Sequence, residues 1–271
     1  MGHGLKSTGG PAPRVVWSRG VSQDKGPADA LADDMSTTRS VFASPDALAA
    51  ELVHLTTEAS TMAMSRRGRF TMALTGGSAA TALYPVLAQA ALPWDKIHIF
   101  YGDERGVPPD HKDSNHKLAL DTFLSRARIP EHNIHRMRGE DDVVKGAADY
   151  ERELLQVTDG SGSIDVVHVG MGPDGHICSL FPGHALLAEE KKLVVAITDS
   201  PKPPPARITL TLQALARARE LWFLVSGSGK AEAARDAILD HTSQLPAAQA
   251  ARRGAKVRWL LDTEAAKHLK M

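Results

Sequence analysis

Residues 164–183 read IDVVHVGMGPDGHICSLFPG, and the fold and the site can both be approached from this stretch. It begins with an apolar, β-branched run bounded by glycine, which predicts a buried strand over residues 164–169. A turn with three glycines follows, and it carries Asp174 and His176. A rigid strand that delivers two proton-transferring groups onto a permissive loop is typical of an α/β enzyme. We therefore predict that this turn is the catalytic loop.

Strand and helix patterns alternate on both sides of this stretch. Ser44 is predicted to cap the first helix, because Pro45 suits its first position. That first helix is predicted to end at about residue 66. The other predicted helices cover residues 79–90, 116–125, 141–157, 211–218 and 231–240. The other predicted strands cover residues 40–43, 70–74, 97–101, 193–197, 207–210, 221–225 and 257–261. This alternation predicts an α/β fold with one mostly parallel sheet and helices on both faces.

The composition excludes several classes of protein. The chain has 271 residues, of which 42% are hydrophobic, so it can bury a substantial core. Its 32 basic and 32 acidic side chains cancel, which argues against a nucleic-acid or membrane-surface partner. Cys178 is the single cysteine, so no intrachain disulfide can form, and a reducing, cytoplasmic setting is expected. No apolar run approaches the roughly 18 residues of a membrane span.

The two ends of the chain differ in character. Residues 1–37 are rich in Gly, Pro, Ser, Asp and Ala, and Val15, Val16 and Trp17 form their only apolar cluster. We predict that they are a flexible N-terminal extension. Residues 38–271 contain no internal repeat and no long linker, and they are predicted to form a single catalytic domain.

Four polar or glycine-rich loops follow predicted strands. They cover residues 75–78, 102–105, 170–176 and 226–230, and Arg207 lies beside them in a fifth segment. Ligands of parallel sheets bind at the carboxyl ends of the strands. We therefore expect these loops to meet around one ligand.

The first of these loops has the chemistry of an anion site. Gly76, Gly77 and Ser78 follow a strand and open a helix, where backbone N–H groups and a hydroxyl attract a phosphate. The same residues are also consistent with a plain strand-to-helix turn.

Two basic residues could complete a phosphate site. Lys230 ends the loop SGSGK, which is not a nucleotide-binding P-loop, because the earlier glycine is missing and Ala231 replaces the magnesium-binding hydroxyl. Arg207 carries a guanidinium that could grip a phosphate with two hydrogen bonds. Each residue taken alone is also consistent with an ordinary surface side chain.

Gly170, Gly172 and Gly175 match the spacing of a dinucleotide-binding turn, but two features oppose that interpretation. Asp174 stands where a pyrophosphate would approach, and Pro182 follows too early for the usual helix. A structural glycine turn remains the alternative. We predict no cofactor.

His176 is the best candidate for a general base, since an imidazole titrates near neutral pH. Asp174, or the pair Asp103 and Glu104, could orient it. The other histidines lack a third ligand at convincing spacing, so no metal is predicted. No G-x-S-x-G elbow is present either, which disfavours an acyl-enzyme. These features predict a base-assisted reaction on a small phosphorylated molecule.

Five ordered motifs resemble those of 6-phosphogluconolactonases. They are residues 170–183, residues 101–110 with 113–115, and residues 200–211, 227–232 and 259–266. The resemblance spans about residues 41–266. It implies the three-layer, Rossmann-like fold that this family shares with glucosamine-6-phosphate deaminases. Ala79-Ala80 and Ile177-Cys178 depart from the family pattern, which commonly has Thr-Pro and Thr-Ala there, but neither change removes a proton-transferring group.

The resemblance implies hydrolysis of 6-phospho-D-glucono-1,5-lactone to 6-phosphogluconate, the second step of the oxidative pentose phosphate pathway. It is consistent with His176 as the base, Asp174 as its positioning partner and Arg105 as an oxyanion stabiliser. The residues expected to bind the substrate and its phosphate are Gly76, Gly77, Ser78, Asp103, Glu104, Arg207 and Lys230. The expected partner is the phosphorylated sugar lactone alone, and the expected state is a monomer or small homo-oligomer.

Two rival functions remain open. An amino-sugar-phosphate deaminase or isomerase would share the glycine loop and the Asp-Gly-His turn. Those relatives carry Asn-Glu-Pro where this chain has Leu180, Phe181 and Pro182, and Phe181 cannot supply the carboxylate that ring opening needs. A sugar-phosphate-binding regulator without catalysis would need a DNA-binding or partner module, and residues 1–37 show no helix-turn-helix pattern.

Overall fold

Seven strands form the central sheet of the computed structural model, which describes residues 15–18 and 36–269. In spatial order they are β1 (Val15–Ser18), β2 (Ser36–Phe42), β10 (Lys256–Asp262), β9 (Glu220–Val225), β6 (Val166–Gly170), β3 (Phe70–Leu74) and β4 (Ile97–Tyr101). β1 is antiparallel to β2, and every other neighbouring pair is parallel. The predicted mostly parallel sheet is confirmed.

Helices flank this sheet and complete the predicted three-layer α/β fold. They are α1 (Pro45–Arg67), α2 (Gly77–Leu87), α3 (Asn115–Ala119), α4 (Val143–Val157), α5 (Leu212–Arg217), α6 (Ala231–Leu239) and α7 (Pro246–Arg253). The predicted start of α1 is confirmed, because Ser44 Oγ accepts a hydrogen bond from the Ala47 amide at 3.2 Å. Gly68 ends the helix in the left-handed conformation, with φ of 73°.

A second, smaller sheet corrects the expectation of one sheet. Its strands are β5 (Asp103–Arg105), β8 (Arg207–Leu210) and β7 (Val194–Ile197), and both pairings are antiparallel. The chain leaves β4 through Gly102, whose carbonyl accepts from the Leu210 amide at 2.9 Å. A side chain at Gly102 would lie 2.9 Å from Cys178 Sγ, so this turn is too close-packed for anything larger than glycine.

The core lies between the central sheet and its helices. β3 is buried along its whole length, and the rings of Phe223 and Trp259 stack 4.0 Å apart on neighbouring strands. His168 is 0% exposed, and the Tyr84 hydroxyl lies 3.2 Å from its Nδ1. Burial lowers the pKa of His168 to about 3. His168 is therefore a packed residue of the core.

The N-terminal segment differs in part from the prediction of a flexible extension. Val15–Ser18 forms an antiparallel strand on β2, which itself begins two residues before the predicted domain boundary. The rest of residues 1–35 lies outside the described residues, so the division into extension and domain stays a prediction. Among the described residues, no helix is both long enough and apolar enough to cross a membrane.

Candidate active site

One cavity of about 210 Å³ lies at the carboxyl ends of β9, β6, β3 and β4, which are neighbours in the sheet. The loops that follow these four strands line it together, as the sequence predicts. The residues around it are Thr75, Gly76, Gly77, Ser78, Ala79, Asp103, Arg105, Asn115, Gly170, Met171, Gly172, His176, Cys178, Arg207 and Lys230. The predicted site residues therefore line one cavity, with two exceptions. Asp174 contacts His176 but does not line the cavity, and Glu104 does not line it either.

The turn after β6 holds His176 against Asp174. His176 Nδ1 forms a hydrogen bond with Asp174 Oδ1, and the imidazole stacks on Phe181 with ring centres 5.0 Å apart. A Cβ atom at Gly172 would lie 2.1 Å from this imidazole, so only glycine allows the approach. Gly175 has φ of 76°, which glycine also favours. The glycines of this turn therefore serve the geometry of His176.

Lys202 joins this pair from the segment between β7 and β8. Its Nζ lies 2.8 Å from Asp174 Oδ2 and 3.1 Å from His176 Nδ1. Burial alone would raise the pKa of Asp174, but hydrogen bonds from Lys202 and His176 bring it to about 2. Burial lowers the pKa of His176, and Asp174 counteracts this only in part. Asp174 is thus an anion, and His176 is a neutral base at neutral pH.

Glu104 departs from its predicted role in the substrate site. Its carboxylate accepts hydrogen bonds from the backbone N–H groups of Arg105, Asn115 and His116 and from Ser114 Oγ, at 2.7–2.9 Å. Side chains alternate across a strand, so Asp103 and Arg105 face the cavity while Glu104 faces the start of α3. Burial raises the pKa of Glu104, and these donors counteract the rise. Glu104 therefore anchors a helix.

Asp103 and Arg105 form one wall of the cavity. Asp103 accepts hydrogen bonds from Ser179 Oγ at 2.6 Å and from Asn115 Nδ2 at 3.0 Å. Arg105 donates from Nη1 to the carbonyl of Asp113 at 2.6 Å. Its Nε is buried and has no hydrogen-bond partner within residues 36–269. This guanidinium is oriented by the protein and retains hydrogen-bonding capacity.

The loop after β3 meets Lys230 on another wall. Gly76 precedes α2, Gly77 has φ of 74°, and the N-terminal amides of α2 open towards the cavity at Ser78. Lys230 Nζ lies 3.4 Å from Ser78 Oγ. Burial lowers the pKa of Lys230. A hydroxyl, an ammonium group and a helix N-terminus at one place can hold an anion.

Arg207 also lines the cavity, but most of its donors are used within the protein. It is 4% exposed, and its guanidinium donates to the carbonyl oxygens of Lys202, Pro203 and Pro204 at 2.9–3.1 Å. A further contact reaches Ser179 Oγ at 3.3 Å. The geometry therefore favours a role in holding the 202–204 segment over a direct grip on phosphate.

A second cavity, of about 230 Å³, lies at the opposite ends of the strands. Its arginines are ion-paired: Arg67 and Arg219 with Asp165, and Arg69 with Asp159. Asp165 also accepts from the amide and hydroxyl of Thr71. These contacts tie the strand starts together, so the carboxyl-end cavity remains the candidate active site.

Sequence reasoning missed three polar residues of the site. Lys202 lies in a proline-rich connector with no periodic pattern, and Asn115 and Ser179 are common residue types in loops. Their partners Asp174 and Asp103 are more than ten residues away along the chain. The one feature of the sequence that could have indicated Lys202 was its place in the segment SPKPPPAR, which also contains Arg207.

Comparison with known proteins finds relatives over most of the chain. The family model described as "Glucosamine-6-phosphate isomerases/6-phosphogluconolactonase" matches residues 43–259. A 6-phosphogluconolactonase of Mycobacterium tuberculosis is 42% identical over 247 residues, covering 87% of this chain and 99% of that protein. The 6-phosphogluconolactonase of Rattus norvegicus is 40% identical over 238 residues, covering 85% of this chain and 93% of that protein.

Solved structures of related proteins also match this chain over most of its length. A 6-phosphogluconolactonase from Thermotoga maritima matches with a TM-score of 0.75 and 30% identity, covering 83% of this chain and 99% of that one. A monomeric glucosamine-6-phosphate deaminase matches with a TM-score of 0.71 at 21% identity, covering 85% of this chain, which shows a shared fold.

Proposed function

The chain belongs to the glucosamine-6-phosphate isomerase/6-phosphogluconolactonase family, and on this premise we propose that it hydrolyses 6-phospho-D-glucono-1,5-lactone to 6-phosphogluconate. It is then a carboxylic ester hydrolase that acts on a small phosphorylated sugar lactone. The observation that carries the proposal is that His176, which is hydrogen-bonded to Asp174, faces the same cavity as Ser78 and Lys230.

The first step is the activation of water by His176. Because Nδ1 donates its proton to Asp174, Nε2 is the free acceptor of the ring. Nε2 takes a proton from water while the water oxygen attacks the lactone carbonyl carbon. Asp174 stays ionised and stabilises the imidazolium that forms.

The second step is ring opening. The attack places negative charge on the carbonyl oxygen, and the Arg105 guanidinium, with nearby backbone N–H groups, stabilises this oxyanion. When the carbonyl re-forms, the bond between that carbon and the ring oxygen breaks. The ring oxygen takes the proton from His176, so the product has a carboxyl group and a new hydroxyl, and the base is regenerated.

The phosphate is held away from the reacting carbon. Ser78 Oγ, Lys230 Nζ and the backbone N–H groups after Gly76 supply hydrogen bonds and positive potential. Asp103 lines the same cavity and is available to hydroxyl groups of the sugar. Binding at the phosphate then orients the lactone carbonyl towards His176.

A lactonase assay on freshly generated substrate tests this function. Acid release is followed at controlled pH and corrected for spontaneous hydrolysis, which is measured in parallel without protein. We expect turnover well above the spontaneous rate and no ammonia from glucosamine 6-phosphate. Ammonia release without lactone hydrolysis would instead assign the chain to the deaminase branch of its family.

A further inference from the structure

The ammonium group of Lys202 contacts both members of the Asp174–His176 pair. It lies 2.8 Å from Asp174 Oδ2 and 3.1 Å from His176 Nδ1, and it approaches the ring of Phe181 at 5.9 Å from its centre. The Lys202 side chain is 40% exposed, so it reaches the pair from the solvent side.

Hydrogen-bond accounting shows what this contact does. An ammonium group only donates, and an ionised carboxylate only accepts. With Lys202 on Oδ2, the other oxygen of Asp174 is left for the ring N–H at Nδ1 of His176. That arrangement requires the tautomer whose Nε2 carries no proton. Asp174 therefore selects the form of His176 that can accept a proton in the cavity, and Lys202 contributes by holding the Asp174 carboxylate in place.

The segment that carries Lys202 is itself anchored. Arg207 donates to the carbonyl oxygens of Lys202, Pro203 and Pro204, and Ser200 Oγ donates to the Lys202 carbonyl at 2.9 Å. Since Arg207 is buried and belongs to β8, it ties this segment to the second sheet. The ammonium group is thus delivered from a fixed backbone.

We propose that Lys202 is a positioning residue that orients the Asp174 carboxylate, which in turn selects the reactive tautomer of His176, and that Arg207 holds the backbone from which Lys202 reaches this pair. The inference rests on the proposed role of His176 as the base. The proposal gives Lys202, in the proline-rich connector, a role that does not require it to touch the substrate.

The charges around His176 determine the direction of the expected effect. Burial and the positive charge of Lys202 lower the pKa of His176, whereas Asp174 and Asp103 raise it. Phe181 covers one face of the ring and adds no charge. The other charged groups around the cavity are Arg105, Arg207 and Lys230. Removing the Lys202 charge leaves the carboxylates less compensated, so the pKa of His176 rises.

The pH dependence of kcat/KM in Lys202→Met and Lys202→Arg tests the proposal. Activity needs neutral His176, so the acidic limb follows the pKa of this residue. We expect Lys202→Met to move that limb upward by roughly one pH unit, which lowers kcat/KM about ten-fold on the limb. Lys202→Arg keeps a charged donor and should restore most of the wild-type profile. The matched control is Lys191→Met, at an exposed lysine outside the cavity wall.

A second measurement does not depend on activity. The ring nitrogens of His176, assigned with the His176→Gln variant, are titrated by NMR in the wild type and in Lys202→Met. We expect a proton on Nδ1 in the neutral wild type and a higher pKa in the variant. Identical titrations and identical kinetic limbs in wild type and Lys202→Met would overturn the inference. Absence of lactone hydrolysis by the wild type would refute the proposed function instead, with the NMR comparison still decisive for Lys202.

Discussion

His176 combines a short-range partner that the sequence reveals with long-range partners that it does not. Asp174 is two residues away, so the Asp-Gly-His turn predicts their contact, and the contact is present. Lys202 meets the same pair only because the second sheet brings its segment across the cavity.

Glu104 shows a different limit of prediction from sequence. Its charge predicts a site residue, but strand alternation turns it towards α3, where it accepts four hydrogen bonds.

Lys230 should discriminate between phosphorylated and unphosphorylated lactones. Lys230→Met removes an ammonium group from the proposed phosphate site while preserving most of the side-chain volume. A charge-assisted hydrogen bond contributes about 1.5–3 kcal/mol, so kcat/KM for the phosphorylated lactone should fall roughly 10- to 150-fold. Steady-state kinetics with unphosphorylated glucono-1,5-lactone provide the control, since that substrate should be nearly unaffected. An equal loss on both substrates would remove Lys230 from the phosphate site.

Among the elements, those with strong apolar periodicity are predictable and the others are not. The bounds of β3 and β4 agree with the sequence pattern. The pattern does not reveal α7, because this helix has only eight residues and its buried side chains are mainly alanine. It also does not reveal that β5, β7 and β8 form a separate sheet, because strands of three or four residues carry too little alternation to indicate their partners.

The turn before α2 provides a test at the level of elements. A methyl group at Gly76 would lie 2.1 Å from Asn115 Oδ1, and Asn115 holds Asp103. We expect Gly76→Ala to displace this amide and to lower kcat/KM by about 10- to 100-fold, since small misplacements in a site are costly. Gly229→Ala is the matched control, because a methyl group there meets nothing within 4 Å. Circular dichroism and thermal unfolding should report both variants as folded. Equal activity of the two variants would show that the Gly76–Asn115 contact does not matter for catalysis.

On the scale of the whole molecule, the order of the strands creates the site. The sequence predicts four loops at strand ends, but neighbours in the sheet are far apart in the chain, and β9, β6, β3 and β4 come together only in the fold. No local pattern specifies that order, because parallel neighbours are joined through long connections. The family resemblance predicts the three-layer fold, and the strand order of that fold explains why these loops meet.

The buried His168 should make the stability of the whole fold depend on pH. Its pKa is about 3 in the folded protein, against an ordinary value of 6.5. Between these values the unfolded chain binds a proton that the folded chain does not, so stability falls as the pH drops below 6.5. From pH 7 to pH 5 this amounts to about 2 kcal/mol. In His168→Gln the corresponding loss should be absent.

Urea unfolding at pH 7 and pH 5 measures this difference in the free energy of unfolding. The exposed His54→Gln serves as the control and should keep the wild-type dependence. Should His168→Gln fail to fold, an NMR titration of the folded wild type answers the same question. A His168 ring that titrates near pH 6.5 in the folded protein would contradict the account.

Whether His176 is the base is tested by kcat/KM of wild type and His176→Gln on 6-phospho-D-glucono-1,5-lactone, corrected for spontaneous hydrolysis. Glutamine keeps a polar side chain in the turn but cannot accept the proton from water. We expect a loss of about 10²–10⁴-fold with a folded protein and a KM within a few-fold of the wild type. A variant that retains wild-type kcat/KM would contradict the assignment of His176 as the base.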